Sequence, residues 1–166
     1  MITKTKFKGL LIIQNKSNKD KRGYFKELIN EKRLNERFPF TVISFSKKNV
    51  IRGLHIQTKN PQGKYLTVLR GCVFDVVVDL RKDSPTYSHW ISVTLNPENG
   101  HSIHVPKGCA NSFLTLKDET LVHYYSSQKY EPNYERGVNY LDPKFNFKWP
   151  HKPRVISDKD KSHKFF

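Results

Sequence analysis

Cysteine is almost absent from this chain: Cys72 and Cys109 are the only two among 166 residues. They lack both CxxC spacing and the density of a small secreted scaffold, which excludes a disulfide framework and a cysteine zinc site and leaves two small buried apolar residues. No stretch approaches the roughly 18 consecutive apolar residues of a membrane-spanning helix, and residues 1–8 carry no apolar core of a secretory leader. A cytoplasmic protein with no membrane partner is expected. Internal repeats, low-complexity tracts and linkers are also missing, so one domain over residues 1–166 is the expectation. Acidic residues are scarce, 15 against 30 Lys and Arg, for a formal charge of +15. Such a surplus can serve nucleic acid. Here, however, the lysines are spread along the chain and thickest near its ends (Lys4, Lys6, Lys8; Lys159, Lys161, Lys164), where charge is usually solvated. No nucleic-acid partner is expected; a smaller anion such as a nucleotide diphosphate suits the same charge.

What the chain does have is short, dense apolar runs. Strand signals fall at Gly9 to Ile13, Tyr24 to Ile29, Thr41 to Phe45, Tyr65 to Leu69, Val73 to Leu80, Trp90 to Leu95, Ser112 to Leu116 and Thr120 to Tyr125. Turn residues such as Arg70-Gly71, Asp83-Ser84-Pro85 and Pro106-Lys107-Gly108 separate them. With one helix candidate, around Asn30 to Arg37, this pattern predicts an all-β barrel or jelly roll with short peripheral helices. Beyond Trp149-Pro150 the strand pattern stops, and the C-terminal tail is expected to wrap the surface, where Asp158 or Asp160 could fold back to a barrel mouth.

A jelly roll holds its ligand inside, so polar residues interrupting strands are the candidates. The densest such segment is Ile51-Arg52-Gly53-Leu54-His55-Ile56-Gln57, where alternation places Gly53, His55 and Gln57 on one face. Gly100, Pro106 and Gly108 match the second cupin motif, but Asn111 stands at the metal-binding histidine of that motif. His55-Ile56-Gln57 likewise stands where the first has His-x-His. Two lost imidazoles leave too few nitrogen ligands for a transition metal. The chain therefore resembles a cupin double-stranded β-helix with no metal and no cofactor.

Further motifs narrow the resemblance. Arg52-Gly53-Leu54-His55, Gln62-Gly63-Lys64, Gly71 to Arg81, Ser84-Pro85-Thr86-Tyr87, Trp149-Pro150 and Ser157-Asp158-Lys159-Asp160 occur in the order found in dTDP-4-dehydrorhamnose 3,5-epimerases, and the chain resembles that family over nearly its whole length. The resemblance implies inversion at carbons 3 and 5 of a nucleotide-linked 4-keto-6-deoxy sugar. Inversion needs a base on one face, an acid on the other and a positive group near the ketone oxygen. His55 matches the base, Asp160 the carboxylate that orients it, Tyr124 the opposing acid and Lys64 the enolate-stabilising cation. The implied substrate-binding set is Arg22, Phe25, Glu27, Arg52, Gln57, Asn111 and Tyr130, with the two arginines on the diphosphate and Tyr130 stacked on the base. The segment bearing Arg22 often reaches a partner subunit's site in the family, which implies a homodimer. A cell-surface polysaccharide is the usual destination.

Two departures stand out. Asn111 replaces the family histidine, keeping a hydrogen-bonding amide but no charge, and a ligand contact is still expected of it. Val42 to Ser46 lacks the family's Gln-x-Asn-x-Ser, which opens a GDP or CDP carrier. The alternatives are inversion of a single centre, a 3,4-ketoisomerase, a non-catalytic sugar-nucleotide or nucleic-acid binder, and a metal-dependent cupin oxygenase.

Overall fold

The computed structural model describes residues 1–166. Thirteen strands run through the chain: β1 (Ile2–Lys4), β2 (Leu11–Gln14), β3 (Ser17–Asp20), β4 (Gly23–Lys26), β5 (Phe40–Ser46), β6 (Ile51–Gln57), β7 (Lys64–Arg70), β8 (Val73–Asp79), β9 (Trp90–Leu95), β10 (His101–Val105), β11 (Cys109–Thr115), β12 (Thr120–Ser126) and β13 (Glu135–Gly137). One-turn helices α1 (Glu31–Leu34) and α2 (Asp158–Lys161) complete the inventory. A six-stranded sheet in the order β1-β2-β10-β7-β12-β5 faces a five-stranded sheet in the order β13-β6-β11-β8-β9. All named pairs are antiparallel. The architecture is the expected all-β, cupin-type double-stranded β-helix.

β8 shows how the sequence builds it. Its apolar run is continuous because both faces are covered: Val73 and Val77 enter the core between the sheets, packing with Phe7, Leu66, Ile103 and Phe113. Val76 and Val78 point outward, where the C-terminal segment covers them with Val138, Phe145 and Trp149. Burying each such side chain contributes about 1.5–3 kcal/mol. Cys72 and Cys109 are both free and buried, as their isolation implied.

The helix expected over Asn30 to Arg37 shrinks to one turn. Asn30 caps it by accepting the Arg33 N–H at 3.1 Å, and Asn35 ends it at φ 50°. The run Tyr24 to Ile29 is strand only to Lys26, since β3 and β4 form a separate two-stranded hairpin that shares no ladder with either large sheet. The tail beyond Pro150 does fold back. The N–H groups of Arg154 and Val155 donate to the Asn49 carbonyl, and Val50 bridges Val155 in parallel at the mouth of the barrel.

Candidate active site

A cleft of about 820 Å³ opens between the two sheets at that mouth. Regular alternation would send Arg52 and His55, three residues apart on β6, to opposite faces. Pairing with β11 changes this: Phe113 sits opposite Arg52 and Asn111 opposite His55, so Gly53 and Leu54 together face the single residue Ser112. The extra residue is a bulge. It brings both Arg52 and His55 to the cleft while Leu54 joins the outer apolar cluster. Glycine is required at 53, where φ is +112° and a Cβ would lie 2.5 Å from the Asn111 carbonyl oxygen.

Asp160 comes to His55 from 105 residues away. Ser157 caps α2, its hydroxyl accepting the Asp160 N–H at 3.1 Å, and this turn aims the Asp160 carboxylate inward. Oδ1 meets His55 Nε2 at 2.6 Å, and Oδ2 accepts the Gly53 N–H at 3.1 Å. Burial works against this carboxylate, but the hydrogen bonds from His55 and Gly53 outweigh it and hold its pKa below the usual range. An ionised Asp160 cannot donate, so His55 Nε2 carries the shared proton and Nδ1 is left with the free lone pair. Asp158, by contrast, is solvent-exposed beside Lys161. Of the two tail acids, the structure pairs Asp160 with His55.

Around the imidazole stand groups that the sequence reading passed over. Glu135 on β13 places Oε1 3.6 Å from His55 Nδ1. Its Oε2 accepts from the Tyr130 hydroxyl at 2.8 Å and pairs closely with Lys159. His163 packs edge-on against His55, with ring centroids 5.7 Å apart, and burial lowers its pKa.

The opposite wall belongs to the six-stranded sheet. Tyr124 on β12 lies on the floor of the cleft, tilted against Phe113, with Ser44 donating to its hydroxyl at 3.5 Å. Burial pushes this phenol well above its ordinary range, and Ser44 and Arg52 offset that only in part. Lys64 opens β7, two pairs along from Tyr124 in the ladder with β12. Burial pushes its ammonium down to about 8, against the restoring charge of Asp75. Asp75 on β8 is wholly buried; burial pushes its carboxyl up to about 8, with the Asn111 amide and Lys64 pulling it back.

Of the residues expected from sequence, His55, Lys64, Arg52, Tyr124, Tyr130 and Asp160 converge on this cleft. Gln57 and Asn111 do not, and both expectations are corrected here. The Gln57 amide donates to the carbonyls of Asn60 and Lys129 and accepts the Glu131 N–H, so its hydrogen-bonding capacity is spent clamping two loops. Asn111 is buried beneath the cleft, donating to Asp75 Oδ1 at 2.8 Å and to the Val76 carbonyl at 3.2 Å, which replaces the expected ligand contact. Arg22, Phe25 and Glu27 lie on and beside the exposed β3–β4 hairpin, away from this cleft. Arg22 closes on Asp20 of its own turn at 2.6 Å.

Asp75 was recoverable from the sequence, because it is a polar residue at an inward position inside the apolar run Val73 to Val78. Glu135 and His163 carried no such signal: one sits in a three-residue strand, the other in the tail.

The chain matches the family described as dTDP-4-dehydrorhamnose 3,5-epimerase over residues 4–166. The dTDP-4-dehydrorhamnose 3,5-epimerase of Methanothermobacter thermautotrophicus is 41% identical over 169 residues, covering 97% of this chain and 91% of the relative. That of Shigella flexneri is 38% identical over 166 residues, covering 96% and 92%. Among solved structures, the dTDP-4-dehydrorhamnose 3,5-epimerase from Bacillus anthracis, with TDP and PPi bound, superposes with a TM-score of 0.96 at 34% identity, covering 100% of this chain and 99% of that one. The dTDP-6-deoxy-D-glucose-3,5-epimerase from Legionella pneumophila in complex with dTDP-4-keto-L-rhamnose gives 0.94 at 38% identity, covering 99% and 92%.

Proposed function

This chain belongs to the dTDP-4-dehydrorhamnose 3,5-epimerase family, and from that premise we propose how its cleft inverts carbons 3 and 5 of a dTDP-linked 4-keto-6-deoxyhexose. It is an isomerase, and its substrate is a nucleotide sugar. Both carbons flank the carbon 4 ketone, so both protons are acidified by one oxygen and both inversions pass through an enolate on it. One cation near that oxygen serves both steps.

The observation that carries the assignment is the origin of His55 and Tyr124 in opposite sheets, with both side chains lining one cleft. His55 Nδ1 takes the proton from one face of the sugar. Asp160 holds the ring and its Nε2 proton, and the imidazolium formed lies between two carboxylates, Asp160 and Glu135. Lys64 stabilises the enolate oxygen. Tyr124 returns a proton to the opposite face, its raised pKa keeping the phenol protonated until the carbanion is there to receive it. Arg52, exposed at the cleft rim, takes the diphosphate, and Tyr130 stacks on the base.

Arg22, Phe25 and Glu27 serve a second copy in this proposal. Their hairpin exposes Tyr24 and Phe25, while the edge strand β5 exposes Ile43 and Phe45 beside the cleft. A homodimer that lays one hairpin over its partner's cleft covers both apolar patches and completes the diphosphate grip. A role in polysaccharide precursor synthesis in the cytoplasm follows from a nucleotide-sugar substrate. The ketoisomerase and purely binding alternatives are not favoured by the relatives.

The test is turnover of the dTDP-linked 4-keto-6-deoxyhexose in heavy water, followed by NMR. Deuterium at carbons 3 and 5 with inversion at both is expected. Exchange at one carbon alone would reduce the enzyme to a single-centre epimerase, and exchange at neither would remove the assignment.

A further inference from the structure

Beside the His55–Asp160 pair stands a third group that proton transfer leaves unused. His163 Nε2 lies 3.5 Å from Asp160 Oδ1, the same oxygen that His55 Nε2 meets at 2.6 Å. Its ring seats over Gly137, where any side-chain carbon would collide with it. The tail holds it there, the Asn139 amide donating to the carbonyls of Lys161 and His163. His163 Nε2 is buried without a hydrogen-bond partner, an unusual state for a ring nitrogen. Its position in the fold thus aims a spare nitrogen at a carboxylate already engaged by another imidazole.

We propose that His55, Asp160 and His163 form a binding site for one divalent transition-metal ion of the zinc class, and that filling it switches off the His55 base. The three donor atoms lie within 4.8 Å of one another. Two imidazole nitrogens and one carboxylate oxygen suit zinc, with the fourth position left to water from the cleft. A tetrahedral ion about 2.0–2.1 Å from each donor sets them about 3.3 Å apart. The His163–Asp160 separation of 3.5 Å already meets this; the 2.6 Å pair exchanges its shared proton for the ion and opens, and the two imidazole nitrogens, within 4.8 Å of each other, close on it.

The shell behind the donors fits as well. His55 Nδ1 faces Glu135 Oε1 at 3.6 Å, the carboxylate–histidine arrangement that orients metal-bound imidazoles. That arrangement is also why the ion inhibits. A neutral imidazole has one proton; with Nε2 on the metal, the proton moves to Nδ1 and occupies the lone pair that takes the sugar proton. This site is not the metal position of other cupins, whose equivalents here, Gln57 and Asn111, are occupied by hydrogen bonds to loops and to Asp75. Only the inhibitory consequence rests on the proposed role of His55; binding does not.

Cobalt titrated into the full-length chain reads binding through its visible absorption. One equivalent with tetrahedral absorption is expected. His163→Ala, and His163→Phe, which keeps a ring over Gly137, should melt as the native protein does, keep metal-free turnover and bind cobalt at least about tenfold more weakly. Zinc should inhibit native turnover reversibly to a chelator, and both variants should need correspondingly more of it. No cobalt absorption in the native chain, or equal binding in either folded variant, overturns the site. Cobalt binding that depends on His163 in a chain that turns over no 4-keto sugar would keep the site and defeat the epimerase reading instead.

Discussion

Two buried carboxylates beside the cleft are held in opposite states. On the β6 wall, both oxygens of Asp160 are engaged, and its pKa is held below the ordinary range. On the barrel side, Asp75 has one oxygen on Asn111 and the other, Oδ2, with no partner; burial pushes its carboxyl up to about 8 and the neighbouring ammonium of Lys64 down to about 8. One wall keeps a fixed charge to orient a base. The other keeps a cation whose charge is poised to change near physiological pH. A tail-delivered turn that meets a free backbone donor at the Gly53 bulge suits the first task; a strand interior with no such donor produces the second.

The difference can be broken most severely at the proton-transfer groups. His55→Asn and Tyr124→Phe each preserve folding by circular dichroism and lower kcat by about 10²–10⁴-fold. Lys64→Met lowers kcat by about 10²–10³-fold, the loss of one preorganised donor to the enolate oxygen; steady-state kinetics on the purified variant checks it. Asp160→Asn falls next, at about 10²-fold, because it removes the fixed charge behind the base, whereas Asp158→Asn leaves turnover unchanged.

Two smaller effects separate the walls by pH. The ammonium of Lys64 is charged below about pH 8 and neutral above it, so kcat should decline as pH rises through about 8, well before an ordinary lysine titrates. The phenol of Tyr124, shifted upward, keeps its proton throughout that range and does not set this limb. Asp75→Asn removes the charge that raises the Lys64 pKa, so the alkaline limb should move to lower pH while activity at its acidic side survives. A pH–kcat profile of the native chain and this variant measures both.

Most of this arrangement was legible in the sequence where the residue pattern and the local structure agree. β9 spans Trp90–Leu95 as its pattern implied, and β8 lacks only the final residue of its expected run. His55, Lys64, Tyr124 and Asp160 reach one cleft, as the ordered motifs implied. What was not legible depended on long-range pairing. The bulge opposite Ser112 breaks the alternation between Arg52 and His55, while Gln57, in regular register with β13, is taken up by two loops. The fate of Asn111 depended on which neighbour it met, Asp75 rather than ligand. Nothing local in residues 157–163 says that one capped turn carries both Asp160 and His163 onto a residue more than 100 positions earlier. The hairpin of Arg22 likewise owes its position to having no ladder partner, which a strand pattern does not encode.

Opposed faces are the centre of this account, and deuterium exchange in the two single variants probes them most directly. Tyr124→Phe, with its base intact, should still exchange the carbon 3 and carbon 5 protons for solvent deuterium but return each to the face it left, without inversion. His55→Asn should show neither exchange nor inversion. Inversion at the native rate in Tyr124→Phe, or undiminished exchange in His55→Asn, would contradict the assignment of base and acid to opposite sheets.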